Sequence, residues 1–280
     1  MDKALQARKA AQLKKLHHGP GILVLANAWD AVSARIVEEI GFPAVATTSA
    51  GVAATLGYPD GQRVSRDEML EAVARIARAV EVPVTADMEA GYGTTAREVA
   101  DTARALIDAG AVGLNLEDIS GDAKPSQVEV ALQLEKICAI REASAAAGVP
   151  LVINARTDVY LVPIGPAETR FERTVARLRA YASAGADCVF APAVKDAETI
   201  AKLVRAVEAP LNILLLPDAP GLDELERLGV ARASIGSGLM RATLGTARRV
   251  AKALFERRDS PAMFAEAPSH AEINQLLGRG

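Results

Sequence analysis

The chain has 280 residues, half of them apolar, enough to bury a sizeable core without metal or disulfide staples. Its 32 lysines and arginines against 35 acids leave a net charge of −3, which excludes the basic footprint of a nucleic-acid partner, and its two cysteines, Cys138 and Cys188, fit a reducing, cytoplasmic setting. No run approaches the roughly 18 apolar residues of a membrane helix, and the charged start MDKALQARKAAQLKKL is not that of a secretory leader.

In chain order, residues 3–16 predict an amphipathic helix able to cover the bottom of a barrel, and ILVLA at 22–26 predicts a first strand. Helical patterns follow over about 30–40, 66–79, 95–108, 127–147, 168–183, 196–207, 221–228 and 237–256. Four of them run to a glycine, Gly41, Gly110, Gly185 or Gly229, and an apolar run begins at once; glycine tolerates the left-handed backbone that ends a helix, so each is a C-cap feeding a strand. VPVTAD (82–87), VPLVINAR (149–156) and APLNILLL (209–216) supply the remaining strands, each with a proline near its start. Eight short apolar strands alternating with eight helices predict a closed (β/α)8 TIM barrel, with an open doubly wound sheet the weaker alternative. No linker divides the chain, so 1–280 reads as one domain: a barrel core over about 20–256 and a C-terminal helical tail over about 257–280. Pro268 breaks that tail before a second short helix near Ser269, and its apolar residues must pack on this barrel or on a neighbouring subunit.

Chemistry on such a barrel belongs at the C-terminal ends of its strands. Those ends carry Asn27, Thr47, Thr48 and Ser49, then Asp87 and Glu89, then Asn115, Glu117 and Asp118, then Asn154, Arg156 and Asp158, whereas the last three strands end almost without charge. Asp87 and Glu89 share a side if the strand geometry persists, and Glu117 on the next strand points to the same space. Carboxylates crowded into a partly dry mouth repel, and a divalent cation removes that cost. The donors are all hard oxygens, with no histidine nearby, which favours magnesium, with manganese as substitute, over zinc. Helix capping and arginine pairing are the competing reading of these acids. Arg156 can clamp a substrate carboxylate with two parallel hydrogen bonds or form an ion pair with Glu117 or Asp158. The small turn Thr48-Ser49-Ala50-Gly51 exposes backbone N–H groups to a carboxylate or developing oxyanion. Residues 56–61 and 119–126 read as mobile loops, and closure of the second would bring Lys124 over an anionic substrate. Trp29 is either a wall of the mouth or packing for the first barrel helix. P-loop, GxGxxG, HExxH and GxSxG patterns are absent.

TTSAG (47–51), TADMEAGYG (85–93), GLNLED (113–118) and NARTD (154–158), in this order and at these strand ends, resemble the isocitrate lyase and phosphoenolpyruvate mutase superfamily over about residues 8–256. The resemblance implies a barrel enzyme, a homodimer or homotetramer with its terminal helix exchanged between subunits, that binds Mg2+ and a small 2-oxo or 2-hydroxy carboxylate. It implies Asp87 as direct metal ligand, with Asp60, Glu89 and Glu117 holding metal-bound waters. It implies Ser49, Ala50 and Gly51 on the substrate and Arg156 near the reacting bond; Asn115, at its strand end, is also assigned to the substrate. Arg156, Lys124 and Asp60 are the residues assigned to catalysis. This chain departs from the pattern in three places. Glu89 stands where an aspartate is usual, Ala123-Lys124-Pro125-Ser126 replaces the K-[KR]-C-G-H lid of the isocitrate and methylisocitrate lyases, and Ala193 replaces a glutamate of the latter. Lacking the lid cysteine that serves as general acid, and the partners a tricarboxylate needs, the chain is expected to act on a smaller acid. The expectation is a magnesium-dependent lyase that cleaves or decarboxylates a C–C bond of such an acid through a metal-stabilised enolate. Carbon–phosphorus chemistry on a phosphonopyruvate, as mutase or hydrolase, is the alternative, and a catalytically silent binding barrel is the third.

Overall fold

In the computed structural model, which describes residues 2–120, 126–162, 164–258 and 260–278, the sheet is a nearly closed ring of nine short parallel strands. They are β1 (Leu23–Leu25), β2 (Asn27–Ala28), β3 (Val45–Thr47), β4 (Val84–Asp87), β5 (Gly113–Glu117), β6 (Val152–Arg156), β7 (Cys188–Phe190), β8 (Leu211–Leu214) and β9 (Arg232–Ser234). The ring runs β2 to β9 in chain order, and β9 pairs with β1. Only Ala26 separates β1 from β2, so the expected first strand serves both neighbours, turning from β9 to β3 at that residue. The expected (β/α)8 barrel is thus observed, with its first strand divided in two.

The helices are α1 (Lys3–Leu16), α2 (Ala31–Ile40), α3 (Ser49–Leu56), α4 (Arg66–Ala79), α5 (Ala96–Ala109), α6 (Val130–Ala146), α7 (Arg170–Ser183), α8 (Ala197–Val207), α9 (Leu222–Arg227), α10 (Gly238–Arg257) and α11 (His270–Leu277). All four glycines expected to end helices hold the left-handed backbone: Gly41 and Gly110 as the caps themselves, Gly185 and Gly229 one residue beyond. The apolar core lies between sheet and helices, where Leu106, Leu114, Ile137, Ile140 and Ile153 are fully buried. No helix among the described residues is long and apolar enough to cross a membrane.

One helix differs from the sequence reading. Residues 49–51, expected as an open turn, are the first turn of α3, because the Thr48 side chain caps it by accepting from Gly51 N–H. Any Cβ at position 51 would meet Thr48 Cγ2 at 2.6 Å and Trp29 Cβ at 2.8 Å, so glycine is there to admit the strand-one loop. Trp29 accordingly packs against α3, while its neighbour Asp30 caps α2.

Helix α1 closes the end of the barrel opposite the strand C-termini. Gln6 Nε2 donates to the carbonyls of Ile107 and Ala111, and Lys14 Nζ reaches Asp187 Oδ1 at 3.0 Å. Asp187 also accepts from Arg141 and, at 2.9 Å, from Ile153 N–H, so one buried carboxylate ties α1, α6 and β6 to the start of β7. In the tail, Leu276 is buried and its carbonyl accepts from Arg35 Nε of α2, whereas most of α10 is exposed, with Phe255 at 89%. Within this chain α11 therefore rests on α2.

Asp187→Ala leaves Arg141 and Lys14 without their carboxylate and should cost about 3 kcal/mol in a urea unfolding experiment. A loss below about 0.5 kcal/mol would mean that this carboxylate behaves as an exposed ion pair.

Candidate active site

At the C-terminal end of the barrel a cavity of about 290 Å³ is bordered by Asn27, Thr48, Ser49, Ala50, Asp60, Gly61, Asp87, Glu89, Asn115, Glu117 and Arg156. Leu161, Phe190, Pro192 and Leu214 form its apolar side, and Ser234, Gly236 and Ser237 complete the rim. The mouth is thus acidic on the side of β4 to β6 and nearly uncharged on the side of β7 to β9. A larger cavity, about 830 Å³, lies behind the same acidic turn against Tyr92, Glu98 and Lys136, but the carboxylates converge on the smaller one.

Asp87, the last residue of β4, is held from three sides. Ser49 N–H and Oγ donate to its Oδ2 at 3.1 and 2.8 Å, and Asn115 Nδ2 donates to Oδ1 at 3.3 Å. Thr47 Oγ1 fixes the backbone beneath by accepting from Asp87 N–H at 2.9 Å. The first turn of α3 therefore presents its donors to Asp87 in this structure. Of the residues expected on the substrate, Ser49, Ala50, Asn115 and Arg156 border the cavity, and Gly51 faces Trp29 instead.

Glu89 does not continue the strand: its φ of 50° puts it in the left-handed region, within a turn where Gly91 and Tyr92 are also left-handed. Three contacts hold that strained turn. Gln62 Oε1 accepts from Ala90 N–H, Glu89 carbonyl accepts from Glu117 N–H at 2.8 Å, and Lys136 Nζ donates to the Gly93 carbonyl at 3.1 Å. The Glu89 carboxyl, 6% exposed, accepts from Tyr92 OH at 3.0 Å. Burial, then the charge of Asp87, pushes its pKa up to about 7. Asp60, on the loop after α3, borders the same cavity, and partial burial together with Asp87 raises its carboxyl as well.

Arg156 ends β6 in the register position opposite Glu117. Its Nη1 lies 2.5 Å from Glu117 Oε1, its Nε donates to Asp158 Oδ1 at 2.7 Å, and the guanidinium sits 5.6 Å from the Phe190 ring centre. The ion-pair alternative for Arg156 is therefore realised twice, while the residue still borders the cavity. Burial pulls the Glu117 carboxyl upward against Arg156. Burial also lowers the guanidinium pKa, but Glu117 and Asp158 outweigh it and hold the group charged.

Sequence reading missed the supports of this site. Asp118, fully buried, accepts from Thr157 Oγ1 at 2.6 Å, Tyr181 OH at 2.7 Å, Arg177 Nη1 and Asp158 N–H at 3.0 Å, and Gln127 Nε2 at 3.2 Å. It thereby locks the segment carrying Arg156 to α7 and to the base of the loop after β5. In the sequence Asp118 stands only as one more polar residue at the end of β5, directly after Glu117, and nothing there points to α7 as its partner. Lys124, expected over the mouth, lies outside the described residues.

No group of three or more His, Cys, Asp or Glu among the described residues is gathered closely enough to cage an ion. The donor set nonetheless fits a hard cation held by one carboxylate and otherwise by water and substrate: all oxygen, with Glu89 and Asp60 raised partly by Asp87. The part of those shifts that Asp87 causes is the repulsion that a cation would relieve.

Residues 13–255 match the family model described as phosphoenolpyruvate phosphomutase, and the chain belongs to that family, within the isocitrate lyase and phosphoenolpyruvate mutase superfamily. An uncharacterized protein of Mycobacterium tuberculosis is 34% identical over 92% of this chain and 94% of its own length. An oxaloacetate decarboxylase of Rhodopseudomonas palustris (strain BisB5) is 31% identical over 89% of this chain and 85% of its own length. A Burkholderia cenocepacia J2315 structure with a provisional lyase/mutase designation superposes with a TM-score of 0.90 at 39% identity, covering 98% of both chains.

Because the Glu89 proton is bound more tightly in the folded chain, its contribution to stability is full below pH 4.5 and is lost as pH rises through about 7. With a chelator present, the melting temperature should fall between about pH 5 and about pH 8, and Glu89→Gln should flatten that slope. Equal slopes in the two proteins would contradict the assignment.

Proposed function

We propose that the chain is a divalent-metal-dependent lyase acting on a small 2-oxo dicarboxylic acid, with decarboxylation of an oxaloacetate-like substrate its reaction. The observation that carries this reading is the divided mouth: four carboxylates and one arginine on one side, an apolar wall of Phe190, Pro192 and Leu214 on the other, around only about 290 Å³. Among the described residues bordering it, Arg156 is the one lysine or arginine, which suits a dicarboxylate and leaves a tricarboxylate short of partners. The likeness to an oxaloacetate decarboxylase supports the same choice of substrate class.

Asp87 would hold Mg2+ directly, with Glu89, Glu117 and Asp60 placed around its waters, and the cation supplies Lewis-acid stabilisation of the charge that develops on the substrate's oxo oxygen. The chain's own residues do the rest. Ser49, whose N–H and hydroxyl at the start of α3 donate to Asp87 in this structure, would offer those donors to the carboxylate next to the oxo group. Arg156, pinned by Glu117 and Asp158, is a fixed positive charge at the cavity edge, so no ordering cost falls on it when substrate binds. The distal carboxylate would lie toward Phe190 and Leu214. There its charge is poorly solvated, and loss of neutral CO2 is favoured. The C–C bond breaks toward the oxo group, its electron pair forms the enolate, and water returns a proton to carbon to give the 2-oxo acid product.

The exposed apolar residues of α10 and the tail, Leu244, Leu254, Phe255 and Phe264, support a homodimer or homotetramer as the working form. Light scattering should then give a mass at least twice 29.3 kDa, and Phe255→Asp should shift it toward the monomer. A monomeric wild type would contradict this.

Incubation with Mg2+ and oxaloacetate should release pyruvate with a kcat of about 1 per second or more. Asp87→Ala should lower kcat/KM by about two orders of magnitude. Undiminished turnover in that variant would overturn the role of Asp87. Phosphate release or rearrangement with phosphonopyruvate, and none of pyruvate from oxaloacetate, would replace the C–C reading with the C–P one.

A further inference from the structure

The interior of this barrel is polar where branched apolar side chains ordinarily fill it. Asp87, Arg156 and Ser234 border the mouth cavity, so the residues two positions earlier on the same strands, Thr85, Asn154 and Arg232, face inward one layer below. Arg232 is 0% exposed, and its Nε, Nη1 and Nη2 have no hydrogen-bond partner. On inward positions of β4 and β6, Thr85 Oγ1 and Asn154 Oδ1 are buried and likewise unpartnered. Nearer the floor so is His17 Nε2, and since His17 Nδ1 lies 2.8 Å from the Leu13 carbonyl and carries the proton, Nε2 is an acceptor. Burial, with Arg232 adding to it, lowers the His17 pKa to about 4, so the ring is neutral.

Asn154 is the tail of a directed chain. Its Nδ2 donates to Asn115 Oδ1 at 2.8 Å, and Asn115 Nδ2 donates to Asp87 Oδ1 at 3.3 Å. A carboxylate only accepts, so Asp87 sets the orientation of both amides, and Asn154 must present its carbonyl oxygen away from the site. The barrel thus holds three donor nitrogens without partners on Arg232 and unsatisfied acceptors on Asn154 and His17. Ordered water satisfies both sets at once; an inorganic anion would satisfy the guanidinium and leave the lone pairs facing a negative charge.

We propose that Arg232 is a positioning residue of the site: bridged by ordered water to Asn154 Oδ1, it orients the chain Asn154–Asn115–Asp87 from below and holds the Asp87 carboxylate toward the mouth. This rests on the reading of Asp87 as part of the working site. It explains why a cation is kept inside the barrel at all. An unpaired buried charge contributes nothing favourable to stability by itself, and an apolar residue of similar volume would pack there at no loss.

Arg232→Met tests this. Turnover of the lyase substrate should fall about tenfold or more, carried by kcat, with a melting temperature at or above that of the wild type, and Arg232→Lys should recover part of the rate. A lowered melting temperature with unchanged kcat would make Arg232 a structural residue and overturn the proposal. A crystal structure of the wild type gives an arm independent of activity and of the variant's folding. It should show water within hydrogen-bond reach of both the Arg232 guanidinium and Asn154 Oδ1, whereas an anion on Arg232, or a lumen without that water, overturns it. If no substrate is turned over, the crystal structure of Arg232→Met still decides: Asp87 should lose its hydrogen bond from Asn115, and an unchanged Asn154–Asn115–Asp87 chain refutes the proposal.

Discussion

Crowding of like charge at the mouth is the constraint around which this molecule is arranged. Asp87, Glu89, Glu117 and Asp60 border one small cavity, and burial makes their mutual repulsion expensive. The fold contains it with fixed partners. Ser49 and Asn115 hold Asp87, Tyr92 holds Glu89, and Arg156 holds Glu117. Each partner comes from a different strand end or turn, so the barrel is the device that brings them together. What these contacts leave unrelieved is the share of the raised Glu89 and Asp60 carboxyls that Asp87 causes on top of burial, and a hard cation would relieve it.

Much of this was legible in the amino-acid sequence because barrel geometry converts position into orientation. The glycines after α2 and α5 and the apolar runs after them marked strands, and polar residues at strand ends marked the mouth. Glu89 shows where that logic stops. It reaches the cavity through a left-handed turn rather than through strand alternation, and that turn depends on Gln62 and Lys136, which lie far away in the chain. Helix α3 was hidden for a related reason. Its first residues, Ser49, Ala50 and Gly51, carry turn-like chemistry, and only the close approach of Trp29 and the cap from Thr48 make them helical.

Arg156 shows how two readings of one residue can both hold. It forms ion pairs on two sides and stacks near Phe190, and these contacts fix it at the cavity edge rather than withdrawing it. A cation anchored in this way discriminates by charge and shape at little entropic cost. Asp118 extends the same principle outward by tying the Arg156 segment to α7.

The most direct test is a calorimetric titration of Mn2+ into metal-free protein, wild type and Asp87→Ala. One site per chain in the wild type, lost in the variant, is the expected result. An absence of binding, or equal binding in both proteins, would contradict the idea that these acids are assembled to hold a cation.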